Sequence, residues 1–286
     1  NENDTGKTVE GFLKERGYTH QVLVRLKQTD HGILRNGIWA YTNERLCKDD
    51  LITVQIVENE CADNIAPVNL PLDIAYEDDD IIVINKPFDM PAHPSAGNHD
   101  NTLANALMYY YGSQNKPFVY RCINRLDRDT TGLTIVAKHA LAGGILGNAV
   151  AKRAIHRTYY AVCSGCTPAC MRISAPIARK DASTIERCVD FKRGENAVTD
   201  FIRIKYNPDN NLSLVKLRLL TGRTHQIRVH MKYIGFPLIG DFLYNPDYTY
   251  ISRQALHSGR LVFTHPVTGQ KMNLISDIPS DMKSLF

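Results

Sequence analysis

Two short apolar runs, Ile81-Ile82-Val83-Ile84 and Leu133-Thr134-Ile135-Val136-Ala137, set the strongest limit on what this chain can fold into. Each is bounded by polar or turn residues: the first by Glu77-Asp78-Asp79-Asp80 and Pro87, the second by Thr131-Gly132. Unbroken apolarity over strand length predicts strands covered on both faces rather than one. Further strand patterns run over Thr158–Cys163, Ala197–Ile204, Leu212–Leu220 and Leu261–Phe263. Helical spacing marks 101–111, with Thr102 as a start signal, as well as 140–153 and 224–234. Strands and helices mix without regular βαβ alternation, which predicts an α+β core.

The 286 residues are 43% apolar, enough for a sizeable core. No apolar run reaches the ~18 residues of a membrane helix, so no membrane span is expected. Asn1–Gly11 is polar and lacks a signal-peptide core. Seven cysteines, an odd number, do not suggest a disulfide framework. A cytoplasmic location is the expectation. Pro67 and Pro71 mark a linker, giving a small N-terminal domain over 1–65, a linker over 66–73 and a larger domain over 74–286.

The net charge of +4 is unevenly spread. Val119–Tyr160 holds seven Lys/Arg against two acids, and Lys216–Lys232 holds five against none. Residues 1–65 hold eight basic and eleven acidic residues. A basic middle and late chain favours a polyanionic partner.

Two segments carry candidate chemistry. In Asn124-Arg125-Leu126-Asp127-Arg128-Asp129-Thr130-Thr131-Gly132-Leu133, a carboxylate sits on the loop entering a buried strand, beside Arg125 and Arg128. Neighbouring cations favour the ionised form, which suits a nucleophile. By itself Asp127 reads more readily as a turn residue paired with an arginine, because structural ion pairs are common. In Thr221-Gly222-Arg223-Thr224-His225-Gln226-Ile227-Arg228-Val229-His230, an inward arginine would need a buried carboxylate. The alternative is a solvated basic helix.

These segments, with Asn85-Lys86-Pro87, His93-Pro94, Arg157-Thr158-Tyr159-Tyr160-Ala161, Gly235, Pro237, Gly240-Asp241 and Tyr244, resemble the RluA class of RNA pseudouridine synthases from about Ile74 onward. The resemblance implies the pseudouridine synthase fold: a central mixed, mostly antiparallel sheet flanked by helices, with a small N-terminal α/β domain of ribosomal-protein type. It implies isomerisation of uridine in structured RNA, rRNA or tRNA, without metal, nucleotide or other cofactor, by a monomer. Asp127 falls at the catalytic aspartate, Tyr159 at the active-site tyrosine and Arg228 at the basic residue pairing with the aspartate. Arg125 falls at an RNA-holding position, and Asn124, Lys86, Arg223, His225 and Gln226 are expected to contact RNA.

Two positions depart from the pattern. Asn124 stands where histidine is common, and Asp89 stands where glycine is common two residues after Lys-Pro. Cys163, Cys166 and Cys170 offer three thiols where a structural zinc needs four ligands. Two rival readings remain: an inactive RNA-binding relative, and a glycoside hydrolase. The second needs two working carboxylates, and only Asp129 neighbours Asp127.

Overall fold

A computed structural model describes residues 2–57, 64–95, 97–181 and 185–286. Part of the expected 1–65 unit, residue 1 and residues 58–63, lies outside the described residues. The N-terminal part holds α1 (Val9–Glu15), α2 (His20–Gln28), β1 (Ile33–Arg35), β2 (Ile38–Trp39) and β3 (Ile52–Val54). Thr8 and Thr19 cap the two helices, each accepting a backbone N–H three residues on. The strands form a small antiparallel sheet in the order β2-β1-β3. The apolar interior of this part includes Val9, Leu13, Leu23 and Ile33.

The large sheet is built from β4 (Ile74–Glu77), β5 (Ile81–Lys86), β6 (Arg121–Cys122), β7 (Thr131–Ala137), β8 (His156–Ser164) and β9 (Cys170–Ser174). After the hairpin β10 (Ile177–Arg179) and β11 (Arg187–Val189) it continues with β12 (Val198–Asn207), β13 (Leu212–Leu219), β14 (Leu256–Thr264) and β15 (Lys271–Ile275). Its main order is β4-β5-β7-β14-β8-β13-β12-β9, with β15 on β14 and β6 on β7. The β7–β14 pairing is parallel and the other pairings are antiparallel. This is the mixed, mostly antiparallel sheet that the family resemblance implies.

The two apolar runs are adjacent strands, β5 and β7, and alternation sends their side chains into two cores. Ile81, Val83, Leu133 and Ile135 pack with Ala142 and Leu146 of α4 (Ala140–Ala151). Ile82, Ile84 and Val136 pack with Leu103 and Leu107 of α3 (Leu103–Gly112), which Thr102 starts through a capping box with Asn105. α4 also gives Leu141 to the N-terminal core. The other half of the sheet is covered by α5 (Gln226–Tyr233), whose Ile227 and Met231 meet Ala161, Val215 and Phe201.

The parallel seam fixes where a site can form. β7 and β14 start at the same edge, pairing Thr131 with His257 and Gly132 with Ser258. Gly132 has φ +108°, and a Cβ there would lie 2.3 Å from the Ser258 carbonyl oxygen, so only glycine permits this approach. The loop carrying Asp127 therefore ends against the start of β14, beside β8 with its Tyr159.

Candidate active site

At that seam opens a cleft of about 1110 Å³, lined among others by Asn124, Arg125, Asp127, Tyr159, His225, Gln226 and Arg228. Among the described lining residues Asp127 is the one carboxylate, while Arg125, Arg153, Arg157, Arg218, Arg223 and Arg228 contribute guanidinium groups. Such a surface suits a phosphate backbone and draws the eye to its single acid.

Arg228 Nη1 donates to Asp127 Oδ2 at 2.9 Å. From behind, Asp241 takes Nε at 2.7 Å and Nη2 at 2.8 Å in a two-pronged bond. Asp241 is fully buried, and its Oδ1 also accepts the backbone N–H of Leu243 and Tyr244. Burial works against charge on Arg228, which is 1% exposed, but Asp241 and Asp127 more than offset it and hold the guanidinium charged. The Arg228 guanidinium also lies 5.0 Å from the centre of the Tyr244 ring. No hydrogen bond reaches Asp127 Oδ1 among the described residues, and the side chain is 30% exposed. One oxygen is held and the other is open.

Tyr159 lies in β8 opposite Ser258, packed on Leu126, Leu217 and Ile227. It is buried yet lines the cleft, so its edge meets whatever enters. Arg125 is exposed on the rim, and Arg223 reaches Asn196 O at 3.1 Å and Glu195 there.

Three of the residues expected to contact RNA are buried and bonded within the protein. Lys86 is 1% exposed and its ammonium donates to Pro87 O at 2.7 Å and Arg128 O at 2.8 Å, tying β5 to the Asp127 loop. Burial pushes its pKa down to about 7, against the pull of Asp129 and Asp127. The Asn124 amide bonds Leu133 O and the Ile135 N–H, fixing the loop's entry to β7. The Gln226 amide bonds Thr221, Val198 O and the Arg223 N–H, fixing the turn before α5. His225, also expected to contact RNA, has a left-handed backbone (φ +56°), and its Nε2 stands 3.9 Å from Asp127 Oδ2.

Sequence reasoning gave Asp241 no role, although a signal existed: it is the first acid downstream of Arg228, and buried arginine requires one. Arg153 and Arg218 enter the sequence reading only within basic clusters, and Arg157 there and in a family segment. Asp89 takes φ +54°, a backbone conformation that glycine adopts freely.

Residues 80–233 match the family model described as RNA pseudouridylate synthase. The chain belongs to the RluA family of RNA pseudouridine synthases. The synthase is 38% identical over 281 residues to "Uncharacterized RNA pseudouridine synthase YjbO" of Bacillus subtilis (strain 168), covering 98% of each chain. It is 41% identical over 245 residues to "Ribosomal large subunit pseudouridine synthase D" of Haemophilus influenzae (strain ATCC 51907 / DSM 11121 / KW20 / Rd), covering 81% of this chain and 75% of that one. Among solved structures, "Human RNA Pseudouridylate Synthase Domain Containing 1" superimposes with TM-score 0.62 and 26% identity, over 72% of this chain and 83% of that chain. The synthase is thus an intramolecular isomerase acting on RNA.

Proposed function

We propose that the synthase converts specific uridines of structured large-subunit ribosomal RNA, with Asp127 as the reacting carboxylate, Tyr159 against the extruded base and Arg228 as the cation holding Asp127. The ribosomal target rests on the printed names of relatives such as the Haemophilus protein. The residue roles rest above all on one observation: among the described lining residues the single carboxylate, Asp127, has Oδ2 fixed by Arg228 and Oδ1 open.

In the reaction the C1′–N1 bond breaks with its electrons going to uracil, the base turns, and C5 bonds to C1′. The proton leaving C5 is balanced by one gained at N1, so no oxidant or reductant is consumed and no cofactor enters the scheme. Asp127 Oδ1 either bonds C1′ or removes a sugar proton, and both routes need a held, open carboxylate. Tyr159 is placed to take or relay the C5 proton. Extruding the uridine from a stem costs about a few kcal/mol, which arginine–phosphate contacts along the rim offset. The N-terminal part serves in this reading as an accessory RNA-contacting unit.

The test is tritium release from RNA labelled at uridine C5, joined to pseudouridine mapping in cells lacking the synthase. Sites lost from large-subunit rRNA are expected, and Asp127→Asn restores none of them. Sites lost only from tRNA would redirect the target, and full turnover by Asp127→Asn would end the assignment of Asp127.

A further inference from the structure

Asp127 Oδ2 has a second neighbour, the imidazole of His225, and the surrounding bonds decide which of its nitrogens carries the proton. The backbone N–H of Arg187, in β11, donates to Tyr244 Oη at 2.9 Å. His225 Nδ1 lies 3.0 Å from the same oxygen, and because its Nε2 faces a carboxylate that can only accept, the tautomer that suits both ends has Tyr244 donating to Nδ1. His225 is left protonated on Nε2, the nitrogen that faces Asp127 Oδ2. Burial pushes the Tyr244 phenol up to about 12, so this donor keeps its proton. Burial, opposed by Asp127, lowers the His225 pKa; Arg228 and Arg187 lower it further while Asp241 opposes them. The imidazole is therefore neutral at neutral pH.

We propose that His225 is a positioning residue for the isomerisation, a neutral Nε2–H donor aimed by Tyr244 that holds Asp127 Oδ2 so that Oδ1 alone meets the nucleotide. This rests on the reading of Asp127 as the reacting carboxylate. At 3.9 Å the pair stands roughly 1 Å beyond an N–H···O bond, and the role assigned to His225 requires that gap to close on substrate binding. A neutral donor suits the task. It orients the carboxylate without adding a second full positive charge, which would weaken the oxygen as a base or nucleophile. The left-handed backbone at His225 is a strained feature consistent with a side chain placed for function. The relay also starts at β11 of the cleft-side hairpin, so the hairpin's position is transmitted to the carboxylate through Tyr244.

The test is single-turnover tritium release with the full chain. Tyr244→Phe is expected to lower kcat about tenfold with KM for RNA unchanged. His225→Leu should fall at least as far, while His225→Gln, which keeps an N–H donor and an acceptor for Tyr244, should recover most of the rate. The deciding measurement is Tyr244→Phe added to His225→Leu, which should cost nothing more. A further tenfold loss there, wild-type kcat in Tyr244→Phe, or a glutamine variant no better than leucine would each overturn the proposal. If Tyr244→Phe folds poorly, the glutamine–leucine comparison at matched thermal midpoints decides alone. Full turnover by Asp127→Asn would instead sink the underlying assignment, whatever the histidine variants do.

Discussion

The cleft around Asp127 and the sheet edge around Asp78 are built from the same kinds of residue. Both set aspartates against histidines, tyrosine and a basic side chain in partly buried surroundings. At the edge both oxygens of Asp78 are used, while Asp80 Oδ2 stands 3.8 Å from His265 Nε2. Asp78 Oδ1 takes the N–H groups of Asp80 and Ile81, and Oδ2 takes Tyr76 Oη at 2.6 Å and His265 Nε2 at 2.9 Å. His265 Nδ1 accepts from Val267 and Thr268, and His139 joins Ala142 N–H to Asp80 in the same way. Asp78, Asp80 and His265 have metal-ligand spacing, but the backbone bonds leave Nε2 of His265 carrying a proton rather than a free lone pair. In the cleft, Asp127 keeps one oxygen without a hydrogen-bond partner among the described residues. A closed network stabilises, and an open one acts on substrate.

The largest expected effect separates the two regions outright. Asp127→Asn should lower turnover by at least about 10³-fold, yet leave the thermal midpoint close to wild type, because Arg228 keeps Asp241. A large drop in midpoint would show that Asp127 belongs with the structural class. Arg228→Ala reverses the balance of the experiment. It strands Asp241 buried without its partner, at a cost of about 3–5 kcal/mol, and abolishes activity as well. Urea unfolding measures it, and an unaltered midpoint would show that Asp241 is not held as a buried ion.

Lys86 joins the regions, since it runs from the end of β5 to the Asp127 loop. Its pKa is about 7 in the fold and 10.5 in the unfolded chain, so between those values the unfolded state binds more protons. This group's contribution to stability is full above about 10.5 and is lost as pH falls toward 7. Lys86→Met removes that dependence. Thermal midpoints of wild type and variant should diverge, in favour of wild type, as pH rises from 7 to 9. Parallel curves would mean that Lys86 stays charged in the fold.

At the edge, His265→Ala should cost about 1–3 kcal/mol with unchanged kcat, because it strips Asp78 of a donor and two N–H groups of an acceptor. Burial raises the Asp78 carboxyl, but the bonds from Tyr76, Ile81 and Asp80, with His265, bring it below its usual value. That stability is present above about pH 4 and is lost as pH falls through the lowered value. Any change in turnover from His265→Ala would break the division between the regions.

The contrast also shows what a sequence discloses. Continuous apolar runs foretold β5 and β7, and a threonine cap foretold α3, because those signals are local. The Asp127 loop was visible as a carboxylate among arginines at a strand entrance. The helix α2 was not foreseen, nor were the short strands β1, β4, β6, β9, β10, β11 and β15, and the β9 side chains are largely exposed. The β7–β14 pairing joins residues some 125 apart, and no local pattern encodes it. For Lys86, Asn124 and Gln226 the expectation of RNA contact rests on the family resemblance, which says nothing of burial. Their satisfied, buried bonds depend on partners brought in by the fold. His225 was noticed for its motif, but its partner Tyr244 stands nineteen residues later.

The smallest expected effect tests the loop that Lys86 ties down. Asp89 holds φ +54°, where an L side chain is mildly strained, and its carboxylate is 3.7 Å from Arg128 Nε in an exposed pair of little worth. Asp89→Gly removes the strain but gives the unfolded chain more freedom to lose. These oppose each other, so the change in stability should stay within about 0.5 kcal/mol. Lys86 still bonds the carbonyls of Pro87 and Arg128, and Met90 N–H still bonds Arg128 O, so the Asp127 loop keeps its place and turnover should be unchanged. A loss of turnover without a loss of midpoint would show that the Asp89 side chain itself acts at the mouth of the cleft.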